Sequence, residues 1–462
     1  MIKCPSCGGE LDYKVENQMV KCKYCQTEFN PAELNVTVKH AKERTNPLVA
    51  EGKSYSCTQC GATLLTFDDT AITFCSYCGS QAMLEDKMMG KVNPDYVIPF
   101  MKNKDECIEA YKKKISSSAF VPDYMKSDTV VEKFRGIFMP YAIYKVGHKG
   151  KETSKGSKYT HTSGDYKYYD DYNVSFDLDA EYDGISYDLS SNYYDKFSTA
   201  IPFDIKDKKD FNPNYLVGFY ADTSNVESET YDTEAVTYAV NDSVKKLVAN
   251  KEFSQYGCSA PVVKYEVKDR KIAMFPVYFL AIRDKANKNI NYAVVNGQTG
   301  KVAMDLPVAF GKYVRFSLIL AVVIFLLINR FIILTPKVIS IFSLIFAIIS
   351  IIMSVSQAKK INKRKYHLDD KGYLNANKDK NEEVEKVNMM KYIFKDMFAI
   401  LLPLLVLVFN FVEDAYYYGS SIISLLLVLL SFKDLVDEHN LLVSNKIPQL
   451  DKRGGDENWK IN

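Results

Sequence analysis

The sequence predicts a multidomain chain: two small β units at the N-terminus, a central α+β domain with an antiparallel sheet, and an all-α transmembrane bundle. Three observations predict this order. Eight of the ten cysteines fall within the first 78 residues, as four C-x-x-C pairs. Polar, tyrosine-rich sequence with charges throughout then runs to residue 312. From Tyr313 onward, long apolar runs alternate with charged spacers. A chain of 462 residues exceeds one ordinary domain. Its 59 Lys+Arg against 57 Asp+Glu give no sign of a strongly basic nucleic-acid binder or an acidic tail.

The two β units are an internal repeat. Cys4-x2-Cys7 is followed by 14 residues and then Cys22-x2-Cys25; Cys57-x2-Cys60 is followed by 14 residues and then Cys75-x2-Cys78. Gly8, Gly61 and Gly79 follow three of the four pairs, where a turn around a metal needs positive φ. This spacing predicts zinc ribbons at 1–30 and 53–87, joined by a linker at 31–52 that holds Pro31, Pro47 and a solvated His40. Four thiolates satisfy tetrahedral Zn²⁺ and leave no open position, so two structural Zn²⁺ ions are expected. A unit this small has almost no core, and metal binding would supply its folding free energy, on the order of 10 kcal/mol. Free or redox-active cysteines, and iron–sulfur ligation, are the weaker alternatives. Metal-binding thiolates must stay reduced, which favours the cytosol, and Met1–Pro5 opens no apolar signal sequence.

Residues 88–310 read as one α+β domain. Helices are expected at Asp105–Ser116 and at Asp232–Val248, the latter with Val236, Val240, Val244 and Leu247 on one face. Strands are expected at Met139–Val146, Tyr172–Leu178, Tyr215–Ala221, Met274–Ile282 and Asn291–Val295, with a turn at Asn296–Gly300. The Lys/Gly/Ser-rich stretch between His148 and His161 reads as a mobile loop. Tyr166, Tyr168, Tyr169 and Tyr172 suit cross-strand pairs better than a binding face. Asp170, Asp171, Asp177 and Asp179 could hold Ca²⁺, but they lack the glycine and terminal glutamate of an EF-hand loop; a solvated strand edge is favoured. Cys107 and Cys258 read as ordinary thiols. No glycine-rich phosphate loop, G-x-S-x-G or H-E-x-x-H motif is present, so a non-enzymatic role is expected.

The anchor comprises helical hairpins at 313–356 and 392–432, a basic loop at 357–391 and a tail at 433–462. Its apolar runs are Phe316–Ile328 extended to Leu334, Val338–Val355, Met397–Val412 and Ile422–Phe432. Each reaches the roughly 17 residues of a span once flanks are added, the last only if it starts near Ala415. Buried helices of a soluble protein are the alternative. The 357–391 loop carries ten Lys+Arg, including Lys359, Lys360, Lys363, Arg364 and Lys365. The spacer at 413–418 carries no base. Positive-inside placement then puts the basic loop and both termini in the cytoplasm and Tyr416–Tyr418 at the outer interface. Next to a span, the Lys359–Lys365 cluster would also attract anionic lipid, although a plain topology signal suffices to explain it. Pro403 predicts a kink. Arg330 is the one ionisable residue noted near a run, which argues for an anchor rather than a transport path.

Five segments, in order, carry a family resemblance: Val97–Phe100, Phe134–Tyr141, Asn214–Ala221, Phe275–Phe279 and Val295–Val302. With the ribbons, they resemble the TFIIB-type zinc-ribbon membrane proteins of Firmicutes, often labelled replication-restart-helicase-like, over residues 1–310. No nucleotide-binding motif supports the helicase label. The resemblance implies a multi-pass protein of the bacterial cell membrane, with some relatives similar to docking components for phage-shock or SPFH-type scaffold proteins in envelope stress. The expected function is a non-enzymatic adaptor that recruits cytoplasmic proteins to the inner face of the membrane. The alternative is a membrane-tethered nucleic-acid-binding module. Against it, Glu10, Glu16, Asp68, Asp69 and Glu85 interrupt the lysines that a phosphate-binding surface needs.

Overall fold

The computed structural model describes residues 3–34, 50–58, 62–67, 72, 75–77, 83–126, 135–283, 290–330, 335–365, 368–376 and 390–445. The N-terminal ribbon is a three-stranded antiparallel sheet, β1 (Leu11–Lys14), β2 (Met19–Cys22) and β3 (Glu28–Phe29). Leu11, Tyr13, Val20 and Cys22 alternate inward with the period of two that pleating imposes. They do not close a core of their own. They share one with Phe100, Phe138, Tyr215 and Leu216, so the ribbon is packed onto the central domain. Polar contacts fix the seam: Asn214 donates to the carbonyls of Pro31 and Leu34, and Gln18 to that of Phe100.

Among the described residues, eleven strands form the central sheet. In chain order its elements are β4 (Ala50–Cys57), β5 (Thr63–Thr66), β6 (Met83–Val92), β7 (Tyr96–Val97), α1 (Lys104–Ser116), β8 (Arg135–Ser163), β9 (Tyr166–Asp188), α2 (Asp195–Ala200), β10 (Lys209–Asp210), β11 (Tyr220–Ala221), α3 (Asp232–Ala249), α4 (Lys251–Ser254), β12 (Glu266–Arg283), β13 (Ile290–Asn296) and β14 (Val302–Met304). The sheet order is β10-β7-β12-β8-β11-β5-β4-β6; β9 pairs with β8, β13 with β12, and β14 with β13. Most pairings are antiparallel. Short parallel pairings of β11 with β8 and of β7 with β12 make the sheet mixed rather than purely antiparallel. Strands β4 to β6, which carry the second cysteine unit, join it through β5 against β11.

Several local expectations shift. Helix α1 opens with a reciprocal cap between Asn103 and Glu106 and buries Cys107, Tyr111 and Ile115. Helix α3 buries Ala235, Ala239 and Ser243, one position before the valine stripe, because small side chains let it lie close against the sheet. Tyr215–Ala221 is not one strand: a 3-10 turn at Pro213–Leu216 precedes the two residues of β11. The stretch from His148 to His161 is not a loop either. It is the outer part of β8, paired with β9 in a long hairpin whose register shifts at Thr160. Two glycines make room where this hairpin meets the segment after α4. A Cβ on Gly156 would lie 2.3 Å from the Tyr256 carbonyl oxygen; Gly257, at φ +62°, sits as close to the Ser157 carbonyl.

The C-terminal region is helical: α5 (Phe310–Asn329), α6 (Pro336–Lys365), α7 (Lys371–Ala376), α8 (Met390–Phe409) and α9 (Asp414–Asn445). Among the described residues three stretches are long and apolar enough to cross a membrane: Phe310–Leu327, Pro336–Arg364 and Asp414–Asn440. The last starts at Asp414, so the fourth apolar run is extended at its front as span length requires. Helix α8 packs against both α6 and α9. The view that no ionisable residue enters the bundle needs correction. Asp396 lies inside α8, one position before the apolar run, and is fully buried. Pro403, also in α8, has no N–H for the Ala399 carbonyl; Ser424 of α9 supplies the missing donor at 2.7 Å. Leucine, isoleucine, valine and phenylalanine side chains stay exposed along α5, α6, α8 and α9, a surface that suits lipid but not water.

Candidate metal centre

Strands β1 and β2 bring the first four cysteines together. Each knuckle closes by the same backbone bond: the Cys4 amide donates to the Gly9 carbonyl at 2.9 Å and the Cys22 amide to that of Thr27 at 3.0 Å. The residue after each knuckle adopts positive φ, Gly8 at 74° and Gln26 at 60°. Glycine reaches that conformation freely, whereas Gln26 is held there at a cost of order 1 kcal/mol. The Cys4 and Cys25 sulfurs lie 3.6 Å apart, those of Cys7 and Cys22 3.5 Å apart, and all four lie within 4.8 Å of one another. A tetrahedral ion with metal–sulfur bonds of about 2.3 Å spaces its sulfurs by about 3.8 Å. The donor set therefore suits one metal ion.

Cys4 and Cys22 are buried, Cys7 and Cys25 exposed. Hydrogen bonding to the Thr27 hydroxyl and amide lowers the Cys25 thiol to about 6. At Cys7 the Gly9 amide lowers the thiol, but hydrogen bonds with the Cys22, Cys25 and Cys4 sulfurs carry it up to about 12. Crowded thiols hold protons against one another in this way, and a shared cation relieves it.

The second unit is visible in part. Cys57 and Cys75 are buried at 1% and 0% exposure; Cys60 and Cys78 lie outside the described residues. The Cys57 amide donates to the Ala62 carbonyl at 3.0 Å, the same five-residue closure seen twice in the first unit. Around it pack Tyr55, Leu64, Tyr77 and Phe279. Among the described residues, Cys4, Cys7, Cys22 and Cys25 are the one group of His, Cys, Asp or Glu side chains clustered tightly enough to hold a metal.

The remaining candidates disperse. Asp179 faces Lys149 across the hairpin and pairs with it at 3.3 Å, Asp177 faces Lys151 and Asp170 faces Lys158, which is a strand edge and no calcium loop. His148 bonds the Lys264 carbonyl and approaches Glu152 at 3.1 Å; His161 stacks on Tyr168. Tyr169 packs edge-on against Tyr159, and Tyr172 packs on Tyr256. Cys107 is buried, which pushes its thiol up to about 12, and Cys258 is half-buried. His40 and His367 lie outside the described residues.

Sequence reasoning missed the junction between the helices and the sheet domain. The Arg364 guanidinium pairs with Asp305 at 2.6 Å and covers the Tyr194 ring at 4.5 Å. Tyr194 donates to Asp369, the Lys371 amide to Asp195 at 2.7 Å, and Asn375 to Thr230; the Lys371 ammonium pairs with Glu234. Asp370, 1% exposed, caps the Tyr373 amide at 2.8 Å. Burial holds the carboxyls of Asp188, Asp195 and Asp370 above the usual carboxylate range; the charge of Asp195 adds to this at Asp188 and Asp370, and that of Glu234 at Asp195. The signal lay in Asp369-Asp370-Lys371-Gly372, where aspartate precedes a short helix and follows the basic run Lys359–Lys365.

Over 326 residues, 67% of this chain and 91% of the relative, the sequence is 25% identical to a Bacillus subtilis (strain 168) protein bearing the name "Uncharacterized protein YdjG". No family model matches the chain, and no solved structure matches it.

Proposed function

We propose that this chain is a non-enzymatic, membrane-anchored adaptor of the TFIIB-type zinc-ribbon kind, which docks cytoplasmic proteins at the inner face of the membrane. The observation that carries the reading is the first cysteine cluster. Its four sulfurs already surround one centre, which leaves no ligand position for a substrate, while its outer knuckle faces solvent with Tyr24 at 73% exposure. A closed site shapes a surface and does not perform a reaction. Cys4, Cys7, Cys22 and Cys25 hold one structural Zn²⁺, and Cys57, Cys60, Cys75 and Cys78 a second. Helices α5, α6, α8 and α9 form four spans, with both termini and the basic segment in the cytoplasm, where thiolates stay reduced. Envelope stress is the setting that the resemblance suggests.

The test is a detergent-solubilised pull-down of the full-length protein with mass-spectrometric identification, alongside metal analysis. Two zinc per chain are expected, falling to one in Cys4→Ser. A cytoplasmic protein should be recovered with the native chain and lost with Tyr24→Ala, which leaves the ligands in place. Recovery of nucleic acid alone, sensitive to nuclease, would replace the adaptor reading with the nucleic-acid one.

A further inference from the structure

Helix α8 carries a carboxylate into the helical bundle, and the groups that donate hydrogen bonds to it are serine hydroxyls. Asp396 is fully buried. Ser350 approaches its Oδ1 at 3.1 Å; Ser354 and Ser431 approach Oδ2 at 2.7 and 3.1 Å. Ser350 and Ser354 stand one turn apart on α6, and Ser431 comes from α9, so three helices converge on this one group. The adjacent cation, Lys395, is committed to Asp434, and no ion pair among the described residues reaches Asp396. A single negative charge inside an apolar bundle is costly unless one positive charge meets it. One carboxylate with hydroxyl oxygens, and neither nitrogen nor sulfur, is the donor set of a hard cation. A serine hydroxyl serves either need: it donates to a carboxylate, or turns its lone pairs toward an ion. The polar lining continues along the same faces, where the Ser343 and Ser421 hydroxyls lie 3.4 Å apart.

We infer that Asp396, with Ser350, Ser354 and Ser431, is a binding site for Na⁺ inside the membrane bundle. This site is independent of the adaptor role and of the zinc centres. Its occupant neutralises the carboxylate and sets how closely α6, α8 and α9 approach one another.

The experiment uses the full-length protein in lipid vesicles, treated with dicyclohexylcarbodiimide, which modifies protonated carboxyls in apolar surroundings, and read by peptide mass spectrometry. Modification at Asp396 is expected. If Na⁺ occupies the site, added NaCl but not choline chloride lowers the modification by about tenfold, the change when nine-tenths of sites fill. A second measurement compares thermal unfolding of native protein and Asp396→Asn across the same NaCl and choline series. The native protein should respond to the cation that blocks the reagent, and the variant should not. Asp396→Asn shifting the midpoint by the same amount in every condition, or modification indifferent to Na⁺, would overturn the proposal and leave Asp396 a structural hydrogen-bond acceptor.

Discussion

The Ala399 carbonyl shows how one residue creates a need that another must meet. Proline at position 403 deletes a donor from α8, and the freed carbonyl faces α9 rather than lipid because Ser424 is there. Replacing Ser424 with alanine leaves that carbonyl unpaired in an apolar bundle. A loss of about 1 kcal/mol is expected, read as a lower unfolding midpoint in detergent; a double variant that also replaces Pro403 with alanine should recover it. Proline 403 itself was legible in the sequence as a helix irregularity. Ser424 was not, since a serine in an apolar run acquires meaning only when a second helix is placed beside it. The same blindness hid Asp396. Read along the chain it is a polar residue flanking a hydrophobic segment; read in space it is enclosed by serines from two other helices. The cysteine ligands are the opposite case, because a tetrahedral ion dictates both residue type and spacing, and both are written in one dimension.

At the scale of elements, helices were the more legible class. Helix α1 was visible over Asp105–Ser116, and the structure adds the Asn103 cap. Strands were harder to bound. Between His148 and His161, lysine, glycine and serine have low strand propensity, yet the stretch is strand because β9 supplies a paired partner for every residue but Thr160, and α4 with the residues after it packs against the hairpin. Phe176 packing on Phe253, and Tyr172 on Tyr256, show where that contact lies. Its closest approach depends on Gly156. Valine there would push against the Tyr256 carbonyl, which is backbone and cannot swing aside. Gly156→Val should therefore cost about 1–3 kcal/mol, and amide exchange should rise in β8 from residue 150 outward. Uniform exchange across β8 in native and variant protein would show that the hairpin does not need this contact.

The molecule as a whole is held together by its junction, where charge decides stability. Asp188, Asp195 and Asp370 have folded-state values above those of the unfolded chain, chiefly because they are buried. The folded state thus takes up protons more readily than the unfolded one. This contribution is fully present below the ordinary carboxylate range and is lost as pH rises through the folded values. Thermal unfolding should show the midpoint falling as pH rises above the ordinary carboxylate range, and Asp370→Asn should flatten that slope by removing one titrating group. A slope unchanged in the variant would mean that Asp370 is not among the groups responsible. Helix α6 passes from the apolar bundle directly into this junction, ending in Arg364 and Lys365 with no break after Pro336. Its 30 residues make a rod about 45 Å long. Such a rod resists bending, because each of its turns is bonded to the next. Like a tiller, it must swing at one end when it is tilted at the other, so a bilayer that thins or thickens around α6 delivers its displacement to the contacts of Asp305 and Tyr194.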